Sequence, residues 1–182
     1  MKSPKNISNF VNELKLSLPG STGEQRKKWA FFIAKNNIKI KSHSELLLCD
    51  NKIASRFLWL ISDIAELDKD LLRNDLVYLF DLCITLNHIR IDASFANYWL
   101  ICGVPVKKEG EYTDWLFKWL QSPETNVTTK SRSLFVLFQL TETYPELCNE
   151  LKTVLNDQIN KNTSDFNKRA EKILSKLYNS SS

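Results

Sequence analysis

The chain has 182 residues, a formal charge of +4 and 43% hydrophobic residues, with five Trp and ten Phe. That length buries a core without disulfide or metal support, and the composition excludes a disordered chain. Four Gly and five Pro are too few for a turn-rich β fold, and Lys-dominated charge interspersed with acids lacks the concentration of a dedicated nucleic-acid binder.

The first residues, 1–6, are expected to fray. Apolar Ile7, Phe10, Val11, Leu14 and Leu18 recur at helical spacing and predict an amphipathic helix over 7–18. Pro19 to Gly23 form the strongest breaker, and a second helix is expected over 24–35, carrying Trp29, Ala30, Phe32 and Ile33. Asn36 and Asn37 end it, because Asn tolerates the left-handed backbone of a helix stop. Residues 38–42 alternate apolar and basic but have no strand to pair with, and so read as loop. Residues 44–49 make one or two helical turns.

A long helix follows over 51–67, with a wide apolar stripe and Trp59 off it. Asp68 caps a helix over 69–86, and Asp92 caps another that Gly103 and Pro105 stop. Residues 107–110 read as loop before a short helix to about 121. Ser122-Pro123-Glu124 marks the next boundary, with Pro suited to a first helical turn, and a helix covers 128–143. Tyr144-Pro145-Glu146 turns the chain into a helix reaching about residue 160. Over 163–178, Phe166, Ala170, Ile173, Leu174 and Leu177 face inward and Lys168, Arg169, Lys172 and Lys176 outward. The terminal serines form a tail.

Two of these helices share one pattern. SRFLWLISDIAE at 55–66 is echoed by SRSLFVLFQLTE at 131–142, with Ser, Arg, Leu and Glu identical in place. The helices that follow repeat a second spacing: Leu76-x-x-Leu79-Phe80, Leu116-x-x-Trp119-Leu120 and Leu151-x-x-Val154-Leu155. The expectation is an all-α single domain over 1–182, built of stacked antiparallel helix hairpins. The hairpins are placed at about 51–86, 92–121 and 128–160, with capping helices at 7–35 and 163–178. A period of about 35–40 residues is what stacked hairpins give, since one hairpin cannot bury its own apolar face.

At these residues the chain resembles the HEAT/armadillo-like α-solenoid class. It is also similar to a group of small uncharacterised bacterial all-helical proteins that carry the name adenylosuccinate lyase. That likeness rests on Asp114-Trp115-Leu116, the helix at 130–142, Pro145-Glu146-Leu147, and Lys168-Arg169-Ala170 with Ile173-Leu174. It implies a helical-repeat scaffold. The lyase superfamily's flexible Gly-Ser-x-x-Met-Pro-x-Lys-x-Asn loop has no counterpart in a chain whose one Met is Met1, so lyase chemistry ranks third among the expected functions.

No catalytic, cofactor or metal constellation stands out. His43 and His88 are far apart, lack ligand-spaced Cys, Asp or Glu, and read as surface or boundary residues. No Ser or Cys comes with a base, and no Gly-rich phosphate loop is present. The four Cys (49, 83, 102, 148) include no Cys-x-x-Cys pair; three lie in or beside apolar helical runs and read as small hydrophobes, and a start with no signal-peptide pattern leads to the expectation of a reducing cytoplasm. No apolar run reaches membrane-spanning length.

Two sets of residues remain as candidates. Arg56 and Arg132 hold matching places near helix starts, where the dipole disfavours a cation. Each is therefore expected to pair with an acid of an adjacent unit or to contact an anion. Asp63, Glu66 or Asp81 would serve one, Glu142 or Asp157 the other. Trp115 and Trp119, an i,i+4 pair with Trp99 and Tyr112 nearby, form either an inter-hairpin core or an aromatic surface. The expected function is a non-catalytic binding or scaffold module for a protein partner, without metal, cofactor or membrane. Nucleic-acid binding or alkylated-base repair, using Trp115, Trp119 and Asp114, is the alternative.

Overall fold

The computed structural model describes residues 7–179, without the side chains of residues 7 and 8; the expected frayed start at 1–6 and the serine tail lie outside the described residues. It is all-helical, with ten α-helices, three short 3-10 segments and no strand among the described residues. The chain divides at Ser94/Phe95 into two compact units.

The first unit contains α1 (Ile7–Ser17), α2 (Gly23–Lys35), α3 (Asn51–Leu67), α4 (Lys69–Arg73) and α5 (Leu76–Thr85), and the start of α6 (Ile91–Cys102). Thr22 closes a capping box on α2: its hydroxyl accepts from the Gln25 amide, while the Gln25 side chain accepts from the Thr22 amide. Asn37 stops the helix at φ +48°, the left-handed backbone for which Asn was read. Asp50 and Asp68 each accept two amide hydrogens at the starts of α3 and α4, and a cap of this kind stabilises by about 1 kcal/mol. α3 is the hub: Ala54, Phe57, Leu58, Leu60, Ile61, Ile64 and Ala65 are buried, and it packs against α2, α4 and the 3-10 segments at 18–20 and 40–48.

Three expectations for this half are corrected. The helical turns expected at 44–49 belong to one 3-10 helix over 40–48, which extends into the stretch read as loop at 38–42 and buries Ile40, His43, Leu46 and Leu47. Its backbone also explains why the expected 69–86 helix is two. The Lys41 amide donates to Asp75 Oδ2 at 2.9 Å and Asn74 Nδ2 donates to the Asp70 carbonyl, so the chain turns at Asn74-Asp75. His43 and His88, expected at the surface, are buried.

The second unit contains the rest of α6, then α7 (Glu109–Gln121), α8 (Val127–Thr143), α9 (Leu147–Gln158) and α10 (Ser164–Asn179). Asp92 lies inside the first turn of α6 rather than capping it, since the Ser94 amide bonds to the Arg90 carbonyl. Gly103 ends α6 at φ +81°, a conformation that favours glycine. The stretch read as loop at 107–110 is a 3-10 turn, Val106–Lys108, running into α7 with Gly110 inside the helix. α8 starts beyond Pro123, at Val127, where the Asn126 side chain accepts from the Thr129 amide. The Tyr144 hydroxyl donates to the Glu109 carboxylate, tying the turn after α8 back to α7 and raising the phenol's pKa.

α8 is the hub of this unit as α3 is of the first, packing against α7, α9 and α10. Both hubs run for 17 residues, with an arginine at the sixth position. Their burial patterns agree position by position: Leu58 and Leu134, Leu60 and Val136, Ile61 and Leu137, and Ile64 and Leu140 are all buried. Trp59 and Phe135 answer each other as well, each 36% exposed. The triplets 76/79/80, 116/119/120 and 151/154/155 are buried throughout, so the second spacing marks the inner faces of α5, α7 and α9.

Candidate functional site

The aromatic pair comes apart into two roles. Trp119 is 5% exposed and stacks on Trp99, with ring centroids 5.4 Å apart and planes 18° apart. Trp99 stacks in turn on Tyr112 at 4.7 Å and 24°. These rings fill the core between α6 and α7, so neither face of Trp119 is open to a base. Trp115 is half-buried, tilted against Trp119 at 5.9 Å, with the Lys118 ammonium 4.3 Å from its ring centroid.

The arginine pair is also distinguished by its surroundings. Asp63, one of the expected partners, is taken by Arg26: Nε to Oδ2 is 3.0 Å, with side chains 14% and 13% exposed. Arg56 instead lies along its own helix over Trp59, its guanidinium carbon 4.5 Å from the ring centroid. Arg26 and Arg90 approach the same ring at 5.3 and 5.1 Å. Arg132 is half-buried near Phe135, and burial lowers its pKa.

Arg132 borders a surface cavity of about 480 Å³ between α8 and α10, lined also by Ser131, Phe135, Asp165 and Arg169. A second cavity of about 450 Å³ shares Phe135 and Arg169 and continues past Phe138 and Ile173 to Lys172 and Lys176. Together they make a trough with an aromatic floor and a basic rim. Arg132, Arg169, Lys172 and Lys176 outnumber the two acids on it, Asp165 and Glu142. The Lys176 ammonium sits 5.4 Å from the Phe138 ring centroid. The signal for the trough lies in the sequence: the outward Lys/Arg row of the last helix, and Phe135 off the buried stripe of its own.

Two further groups are buried without an obvious sequence signal. Lys130 is 4% exposed and donates to Gln158 Oε1 at 3.1 Å; burial and nearby Lys161 lower its pKa. Thr129, Ser131 and Ser133 are buried beside it along the first turns of α8. His43 Nδ1 donates to the Lys39 carbonyl and its ring meets Phe10 edge-on at 5.7 Å. His88 Nδ1 accepts from the Arg90 amide, which leaves the proton on Nε2. Neither Nε2 has a hydrogen-bond partner among the described residues, and burial lowers the pKa of both rings.

Burial pushes the Cys83 thiol up to about 12. No group of three or more His, Cys, Asp or Glu that could hold a metal ion occurs among the described residues, and no helix among them is long and apolar enough to cross a membrane. No protein-family model, curated protein or solved structure matches the chain.

Proposed function

We propose that the chain is a HEAT-like helical-repeat binding module, non-catalytic, that takes an acidic amphipathic segment of a partner protein into the trough between α8 and α10. The α8–α10 trough carries this reading. Phe135, Phe138 and the edge of Ile173 offer apolar contact, and Arg132, Arg169, Lys172 and Lys176 supply charge that Asp165 and Glu142 only partly offset. A segment with Leu or Phe on one face and Glu or Asp on the other complements both properties, as amphipathic helices do in grooves of this kind. The repeated buried triplets of α5, α7 and α9 and the matched hubs α3 and α8 support the repeat architecture.

Selection of random peptides displayed on phage tests the reading. The wild type is expected to enrich sequences combining Glu/Asp with Leu, Phe or Ile, and a Lys172→Glu/Lys176→Glu variant is expected to lose them. Enrichment of basic or neutral peptides, or binding that the double variant leaves unchanged, contradicts it.

A further inference from the structure

We propose that Arg26, Arg56 and Arg90, gathered around Trp59, form a binding site for the phosphate group of a small phosphomonoester or pyrophosphate ligand. The site lies wholly in the first unit and is independent of the α8–α10 trough. Three guanidinium carbons stand 4.5 to 5.3 Å from one indole centroid, and an indole has two faces, so at least two guanidiniums share one. Like charges held this close repel, and one carboxylate, Asp63, is ion-paired within the group among the described residues. Neither Arg56 nor Arg90 has an ion-pair partner among the described residues.

Each arginine is held by a different device. Arg26 is tied through Nε to Asp63, which leaves its two terminal nitrogens outside that bond. Arg56 precedes Trp59 by three residues on α3, so helix geometry sets it over the ring. Arg90 extends from a held backbone: its amide donates to Nδ1 of buried His88, in the turn that follows Asn87 at φ +49°, and its guanidinium lies 5.1 Å from the ring centroid. The forks are therefore positioned before any ligand arrives, and less rotamer entropy is lost on binding.

The chemistry of this arrangement selects an oxyanion over a base. Three guanidiniums crowd the Trp59 ring, so the indole serves to align the forks, and a nucleobase stacking there would have to displace cations already in place. Two planar forks on one side of a ring match the oxygens of a phosphate, which accept paired N–H bonds. Trp59 remains 36% exposed, so the cluster is open to solvent.

Calorimetric titration with inorganic pyrophosphate at low salt tests the site. The wild type is expected to show one saturable site, weakened at least about tenfold by Arg56→Gln or by Arg90→Gln, the loss expected for a charge-assisted contact. Arg73→Gln, at an arginine paired with Asp70 elsewhere in the unit, is expected to bind as wild type. Circular dichroism melting of each variant checks that the fold is intact. No pyrophosphate binding, or binding indifferent to both substitutions, overturns the proposal. So does a result in which single-stranded DNA binds through these arginines and pyrophosphate does not, since the site would then read a phosphodiester backbone.

Discussion

Arg26 Nε donates to Asp63 Oδ2 at 3.0 Å, joining α2 to α3 through two largely buried side chains. The same Arg26 guanidinium lies over Trp59, and Arg56 and Arg90 approach that ring as well. Removing the acid therefore costs more than removing the base. Asp63→Asn leaves three cations without their counter-charge, whereas Arg26→Gln lowers the repulsion as it breaks the bond. Chemical denaturation is expected to show Asp63→Asn destabilising by about 2–3 kcal/mol and Arg26→Gln by about 1 kcal/mol. The double variant should fall between them, and equal single costs would argue against a cluster under charge strain.

The two tryptophans of α7's neighbourhood separate by the same measurement. Trp99→Leu removes a fully buried ring stacked on both Tyr112 and Trp119, and is expected to cost about 3 kcal/mol or more. Trp115→Leu alters a half-buried ring under Lys118 and is expected to cost at most about 1 kcal/mol. Similar costs for the two would contradict the assignment of Trp99 to the core and Trp115 to its margin.

Lys130 carries a charge where solvent hardly reaches. Its folded pKa lies below its ordinary value, so at neutral pH the protonated amine opposes folding, and stability rises as pH climbs toward the unfolded pKa. Lys130→Met keeps the straight chain and removes the charge. Asn162 Nδ2 remains 3.3 Å from Gln158 Oε1 as an alternative donor. The variant is expected to gain about 1 kcal/mol at neutral pH, read as a higher midpoint of thermal unfolding. A loss of stability would mean that the Lys130–Gln158 bond outweighs the cost of burial.

Buried His43 and His88 fix an acid limb. Both have folded pKa values depressed by burial, and Arg90 adds to the effect at His88. The unfolded state then binds more protons between the folded value and about 6.5. Stability from these rings is thus complete above about pH 6.5 and is lost as pH falls through the folded values. Thermal melts from pH 7.5 down to 5 are expected to show a falling midpoint. His43→Gln and His88→Gln should flatten that fall, and an unchanged slope in both variants would contradict it.

Much of the helix framework is legible in the letters because caps and periodicity are local. Asp50, Asp68 and Asn126 start helices through their own side chains, and the stripes of α3 and α10 bury the residues their spacing selects. What the letters hide is decided between elements. The break at Asn74-Asp75 depends on an amide from Lys41, thirty-four residues upstream. The burial of Lys130 depends on Gln158 in the next helix, and the partner of Arg26 lies on α3. The sites follow the same division. Arg56 is visible from its place in the echoed 55–66 and 131–142 pattern, and Trp59 from its position off the stripe. That Arg26 and Arg90 join them is a tertiary fact without a local signature.

Binding in the α8–α10 trough is tested most directly by backbone NMR. Titrating a peptide recovered from the phage selection into isotope-labelled protein is expected to shift amides of 135–142 on α8 and 165–176 on α10. Those shifts should vanish in the Lys172→Glu/Lys176→Glu variant. Shifts confined to other helices, or an unperturbed spectrum at saturating peptide, would contradict the claim that this trough is where the protein binds.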